Sequence, residues 1–170
     1  MAKQTITVIP GDGIGPDIID ATIKILDKAG CDFEYEYADA GLTALENHGD
    51  LVPESTLALI EKNKIALKGP LTTPVGDGFT SINVTLRKHF QLYANVRPVL
   101  SFKGTKARYE DIDIITIREN TEGMYSGLGQ TLSEDGNYAE ARSLVTREGA
   151  ERIVTFAYET AIKEGRKKVT

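Results

Sequence analysis

The feature that most constrains this chain is its alternation of short, β-branched apolar runs with segments of helical period. Ile6, Val8 and Ile9 form the first run, which stops at Pro10 and Gly11 and predicts a buried strand. Pro16 suits the first turn of a helix, Ile19, Ile23 and Leu26 recur at helical spacing, and Gly30 supplies a C-cap. Phe33, Tyr35 and Tyr37 alternate with polar residues as a second strand, and Pro53 opens a helix carrying Leu57 and Ile60. Ile65 and Leu67 predict a short strand, and 93–96 predicts another that meets Pro98. Ile112, Ile114, Ile115 and Ile117 mark a buried strand ending at Arg118. Ala150, Ile153, Val154, Ala157 and Ala161 line one face of a helix closed by Gly165. This alternation implies an α/β fold with a mostly parallel sheet. The polar, irregular stretch 98–110 reads as a crossover between two domains. A further strand is expected to begin at 168–170, so the chain is expected to be truncated.

Composition narrows the function classes. The chain has 170 residues, 41% of them hydrophobic and 26% charged, which is ordinary for a globular protein with a substantial core. Its formal net charge of −5 argues against general nucleic-acid binding, which needs basic surface to displace counterions. A small anion needs only a few well-placed arginines and is not excluded. Cys31 is the only cysteine, so no intrachain disulfide forms and a reducing compartment is expected. No run of 18 or more apolar residues suggests a membrane span, and the first ten residues resemble neither a signal peptide nor an Arg-rich presequence. A cytoplasmic protein without membrane or nucleic-acid partners is the expectation.

Two glycine-rich loops invite a nucleotide reading. Gly11-Asp12-Gly13-Ile14-Gly15-Pro16 follows the first strand, but a Rossmann fingerprint needs its third glycine two residues further on. A tight strand-to-helix turn is the simpler reading, although a phosphate can approach a helix start. The second loop, 68–78, combines Gly69, Pro70, Pro74, Gly76 and Gly78 with Lys68, Thr72 and Thr73. It lacks the Gly-Lys-Ser/Thr ending of a Walker A loop, yet its length suits a functional segment.

The polar residues that follow are more specific. Ser81 suits an N-cap, beside which free amides attract anions, and Asn83 and Arg87 lie four apart on one helical face. Arg97 shares a strand face with Tyr93 and Asn95, and Arg118 ends an apolar strand, where α/β proteins place ligand contacts. Any one of these arginines is by default a solvated surface residue. As a set on separate elements, Arg87, Arg97 and Arg118 can converge on a small polycarboxylate through bidentate pairing. Tyr125 lies in a turn a few residues past that strand, a position from which a tyrosine beside cationic groups can act as general acid.

The order of these motifs is similar to that of the isocitrate and isopropylmalate dehydrogenases: 11–16, then 68–78, then Ser81-Ile82-Asn83 with Arg87, then Arg97-Pro98, then Arg118 to Tyr125. The resemblance spans essentially the whole chain. It implies a three-layer α/β/α fold that is not a Rossmann domain, with 1–98 as the first part of a large domain and 99–170 as the start of a small one. It further implies that Ser81, Asn83, Arg87, Arg97 and Arg118 bind the carboxylates of isocitrate, that Lys68 lines the same pocket, and that Tyr125 is catalytic. Thr72 matches a residue touching the nicotinamide half of the cofactor, and Ile14 one near the adenine. Residues 128–144 match an intersubunit clasp, so a homodimer or higher homo-oligomer is implied.

The implied reaction is the oxidative decarboxylation of isocitrate to 2-oxoglutarate. NAD is the expected dinucleotide, with NADP open, and Mg²⁺ or Mn²⁺ the metal. The family's metal-binding aspartates and catalytic lysine match nothing in these residues and are expected beyond Thr170, as is the main adenosine loop. The chain alone is therefore expected to be inactive. Isopropylmalate relatives generally carry apolar residues where Ser81 and Asn83 stand, which favours isocitrate. Homoisocitrate, isopropylmalate and a non-catalytic regulatory subunit are the alternatives.

Overall fold

β1 (Gln4–Ile9) is the centre of a three-stranded parallel sheet, with β2 (Phe33–Tyr37) on one side and β3 (Ala66–Lys68) on the other. The computed structural model describes residues 3–74 and 81–170. They fall into two compact units, Met1–Thr85 and Leu86–Thr170. As the middle strand, β1 buries Ile6, Val8 and Ile9, and Ile6 and Val8 form a core with Ile19, backed by Ile23, Phe33, Tyr35 and Leu67. Each aliphatic side chain taken fully from water there contributes about 1.5–3 kcal/mol. Thr7 is the polar exception: its hydroxyl donates to the Leu59 carbonyl at 3.2 Å and accepts from Asn63 Nδ2 at 3.1 Å. Parallel pairing requires crossovers, which are α1 (Gly15–Lys28) between β1 and β2, and α2 (Leu42–His48) with α3 (Glu54–Asn63) between β2 and β3.

One feature of this first unit departs from expectation. The periodicity did not reveal α2, a seven-residue helix whose own N-cap, Gly41, supplies no side-chain cap. The cap comes from Asp12, thirty residues away, whose carboxylate accepts the Leu42 and Thr43 N–H groups. The helix expected at Ser81 is present as α4 (Ile82–His89), which spans the division between the units and buries Ile82 and Leu86. The last part of the second glycine loop, with Gly76, Asp77 and Gly78, lies outside the described residues.

The second unit is antiparallel, contrary to the expected mostly parallel sheet. β4 (Ala94–Leu100) and β5 (Asp113–Glu119) pair over their whole length, from Ala94 opposite Glu119 to Leu100 opposite Asp113. β4 therefore runs through Pro98, and 101–112 is the turn of this hairpin. A two-stranded sheet has only edge strands, and an edge tolerates the missing proline N–H. β6 (Thr131–Leu132) and β7 (Ala139–Glu140) make a second, smaller hairpin. α5 (Arg147–Lys163) begins at Thr146, an N-cap whose hydroxyl accepts the Gly149 N–H, and ends beside Gly165 as expected. Residues 168–170 form no strand.

Candidate active site

In the second unit the hairpin register brings the arginines together. Asn95 stands directly opposite Arg118, and Arg97 opposite Thr116. Opposite residues of an antiparallel pair share a face, as do residues two apart on one strand, so Asn95, Arg97 and Arg118 occupy one face as near neighbours. Arg97 Nε donates to Asn95 Oδ1 at 3.2 Å, which ties the two together. Arg118 Nη2 donates to Tyr125 Oη at 2.6 Å, and its guanidinium carbon stands 5.3 Å from the tyrosine ring centroid. Arg87, from the last turn of α4, approaches the same ring at 5.9 Å. Tyr125 is thus flanked by two guanidinium groups, with a third a strand position away. Arg97 and Arg118 are exposed and retain donors for a ligand.

The first unit carries the other expected residues. Thr72 donates its backbone N–H to Asp12 Oδ2 at 2.7 Å. Thr73 Oγ1 accepts the Ile82 N–H at 3.2 Å, so this loop abuts the first turn of α4, where Ser81 and Asn83 stand. Ser81 fills the N-cap position, its carbonyl accepting the Thr85 N–H. Lys68 Nζ donates to the carbonyl of its neighbour Gly69 at 2.7 Å. Ile14 lies at the start of α1, its side chain 68% exposed.

The glycine loops serve each other. A Cβ on Gly11 would overlap the Pro70 carbonyl, and one on Gly69 the Pro10 carbonyl, so the two loops pack backbone on backbone. The Asp12 N–H completes the junction by donating to the Pro70 carbonyl at 2.8 Å. That packing accounts for glycine spacing that fits no Rossmann fingerprint.

Asp12 is the residue that sequence reasoning underweighted. It is 8% exposed and accepts the N–H groups of Leu42, Thr43 and Thr72 and the Thr43 hydroxyl. Burial pushes its carboxyl pKa up, but the Thr72, Thr43 and Leu42 amides together outweigh that and hold it below the usual value. In the second unit, burial likewise raises Glu119, and the Thr121 hydroxyl, the Glu122 and Thr121 amides and Arg152 bring it below its ordinary value. Glu122 is lowered first by the Thr146 hydroxyl and then by the Thr146 amide. These carboxylates bind backbone in turns and at helix starts, which no residue spacing advertises. Among the described residues, no group of three or more His, Cys, Asp or Glu side chains is placed to hold a metal ion.

The family model for isocitrate/isopropylmalate dehydrogenase matches residues 5–170. The chain is 44% identical over 169 residues to the mitochondrial NAD isocitrate dehydrogenase subunit alpha of Macaca fascicularis, covering 98% of this chain and 48% of that protein. It is 45% identical over 170 residues to the NADP isocitrate dehydrogenase of Thermus thermophilus, covering 98% of this chain and 34% of the relative. The chain thus spans between about a third and a half of the length of these relatives. The crystal structure of isocitrate dehydrogenase from Methylococcus capsulatus superposes with a TM-score of 0.90 at 46% identity, over 96% of this chain and 49% of that one. A β-decarboxylating dehydrogenase from Thermococcus kodakarensis gives 0.73 at 36% identity, over 95% and 46%. The fold is accordingly the α/β/α fold of these enzymes and not a Rossmann domain. By sequence over nearly its whole length, and by fold, the chain belongs to the isocitrate/isopropylmalate dehydrogenase family.

Proposed function

We propose that this chain furnishes the carboxylate-binding and proton-donating part of an isocitrate dehydrogenase site, for oxidative decarboxylation of isocitrate to 2-oxoglutarate. The observation that carries the reading is the cluster of Arg118, Arg87 and Tyr125, with Arg97 on the same strand face as Arg118. A tricarboxylate matches several guanidinium forks, each able to pair with one carboxylate bidentately. Ser81 and Asn83 offer small uncharged donors at the start of α4 for the carboxylate that distinguishes isocitrate from isopropylmalate.

The roles of the residues follow from their chemistry. Arg87, Arg97 and Arg118 hold the substrate and stabilise negative charge as CO₂ leaves. Tyr125 then gives its phenolic proton to the carbon that has lost the carboxyl group, leaving a phenolate beside Arg118. Lys68 is proposed as a further substrate-binding residue. Ile14, an exposed apolar side chain beside a glycine turn, and Thr72, an exposed hydroxyl, suit the adenine and nicotinamide ends of a dinucleotide. A bound NAD or NADP would supply the hydride acceptor for C2, with Thr72 and Ile14 as the residues proposed to hold it. The described residues do not fit a Mg²⁺ or Mn²⁺ site. These 170 residues alone are proposed to give no turnover.

Residues 1–98 are proposed as the first part of the large domain and 99–170 as the start of the small one. The hairpin within 128–144 exposes Leu128, Leu132 and Tyr138 and is proposed as a clasp in a homodimer or higher homo-oligomer. No described helix is long and apolar enough to cross a membrane. The lone thiol Cys31 suits the reducing cytoplasm, the compartment we propose.

Tyr125→Phe tests the assignment, because it keeps the ring and removes the proton. Turnover of isocitrate by the full-length protein should fall about 10²–10⁴-fold with KM changed little. Oxalosuccinate, the β-keto acid, should be decarboxylated correspondingly slowly. Wild-type rates with oxalosuccinate would reduce Tyr125 to a packing residue.

A further inference from the structure

We infer that Glu122 is a positioning residue for Tyr125, holding the turn that carries the tyrosine against the start of α5. The inference rests on the reading of Tyr125 as proton donor, but its support is the geometry of the turn. β5 ends at Glu119, and Tyr125 sits in the 3₁₀ turn Met124–Ser126. The phenol stands a full ring away from the backbone, so a small rotation of this turn displaces the reacting oxygen from Arg118 and from any substrate.

The Glu122 carboxylate closes that freedom. Oε2 accepts the Thr146 N–H at 2.9 Å, and Oε1 accepts the Thr146 hydroxyl at 2.5 Å. A threonine hydroxyl has one proton, and here it goes to Glu122. The oxygen keeps a lone pair, which accepts the Gly149 N–H at 2.9 Å. A directed relay therefore runs from Gly149 N–H to Thr146 Oγ1–H to Glu122, and it needs the carboxylate ionised. The low pKa of Glu122 agrees with that requirement.

The surroundings are built around the same contact. A Cβ on Gly149 would overlap the Glu122 carboxylate, so a larger residue there would push Glu122 out of this contact. On its backbone side, Glu122 accepts the Tyr125 N–H at 3.3 Å, and Gly123 donates to the Leu144 carbonyl at 2.7 Å. Glu119 fixes the upstream end of the turn by accepting the Thr121 N–H at 2.9 Å and the Glu122 N–H at 2.7 Å. Arg152 of α5 donates to Thr121 Oγ1 at 2.6 Å. The chain entering the turn is thus tied to α5 and its N-cap at two successive residues, Thr121 and Glu122, with Tyr125 three residues beyond the second tie.

The test is a double-mutant cycle on the full-length protein, read as isocitrate turnover with Mn²⁺ and NAD or NADP. Glu122→Ala should lower kcat by about 10–100-fold, the scale expected for a misplaced catalytic group, with KM for isocitrate changed far less. In the Tyr125→Phe background the same substitution should change kcat by less than about twofold, because no proton donor remains to be misplaced. Equal factors in the two backgrounds would make Glu122 merely structural and overturn the inference, as would wild-type kcat in the single variant. A Tyr125→Phe enzyme as fast as wild type would instead sink the proton-donor reading itself. If Glu122→Ala does not fold, Thr146 carries the same cycle. Thr146→Ser keeps the relay and should retain wild-type kcat, whereas Thr146→Val should reproduce the defect only when Tyr125 is present. Equal rates for the serine and valine variants would overturn the inference.

Discussion

Replacing Asp12 by alanine should detach two loops and a helix at once. The carboxylate accepts the Thr72 N–H at 2.7 Å, the Thr43 N–H at 3.1 Å, the Leu42 N–H at 3.2 Å and the Thr43 hydroxyl at 3.3 Å. A hydrogen bond to a charged acceptor contributes about 1.5–3 kcal/mol, but three of these four are long and therefore at the weak end. The amides are only partly buried, so water can reach some of them after the deletion. Removal of charge from the start of α2 adds about 0.3–1 kcal/mol. The sum expected is roughly 2–4 kcal/mol rather than four full bonds. Asp12→Asn should cost less, because its amide oxygen can still serve Leu42 and Thr72 while its NH₂ faces Thr43. The assay is urea unfolding followed by far-UV circular dichroism, with a lower midpoint and unchanged m-value. Amide exchange adds locality: Leu42, Thr43 and Thr72 should lose protection together. A change below about 0.5 kcal/mol, with protection unaltered at all three amides, would refute Asp12 as the junction of these segments.

Further predictions concern specificity and pH. Replacing Ser81 and Asn83 together with leucine removes the small polar groups at the start of α4, and leaving a substrate carboxylate unpaired should cost about 1–3 kcal/mol in kcat/KM for isocitrate. Unchanged kcat/KM would exclude both from substrate recognition. Acid should destabilise the fold. Asp12, Glu119 and Glu122 hold pKa values below their ordinary ones, as does Glu36 through Lys62, and the Ser133 hydroxyl draws Asp135 down to about 2. Depressed carboxyl pKa values mean that the unfolded chain binds more protons in this window, so their stabilisation is complete above about pH 4.5 and is lost as pH falls through the folded values. Urea midpoints measured at pH 7, 5 and 3 should drop mainly between the last two, and a midpoint at pH 3 equal to that at pH 5 would contradict the assignment.

How much of this was legible in the sequence depended on where each interaction closes. β1 and α1 bury a face of their own, so Ile6, Val8 and Ile19 announce them by pattern, whereas β5, expected to be buried, leaves Ile114 exposed and Ile115 and Ile117 only half-buried. α2 does not, because its cap is Asp12 and lies in another loop. Pro98 looked like a strand end, and only the hairpin partner shows that an edge strand passes through it. The arginines were legible as a set because guanidinium forks on separate elements imply a polyanion. Their convergence depends on the strand register that places Asn95 opposite Arg118, which no spacing encodes. Glu119, Glu122 and Arg152 stayed hidden because each binds turn backbone or threonine hydroxyls, contacts that leave no motif.

Substrate choice in the full-length protein decides whether these residues read isocitrate for oxidative decarboxylation. Isocitrate and 3-isopropylmalate should be offered in parallel with Mn²⁺ and either NAD or NADP, and reduced dinucleotide, CO₂ and keto acid measured together. Isocitrate should yield equal amounts of reduced dinucleotide, CO₂ and 2-oxoglutarate, with no comparable turnover of 3-isopropylmalate. Preferential turnover of 3-isopropylmalate, or isocitrate binding without any product, would contradict that reading.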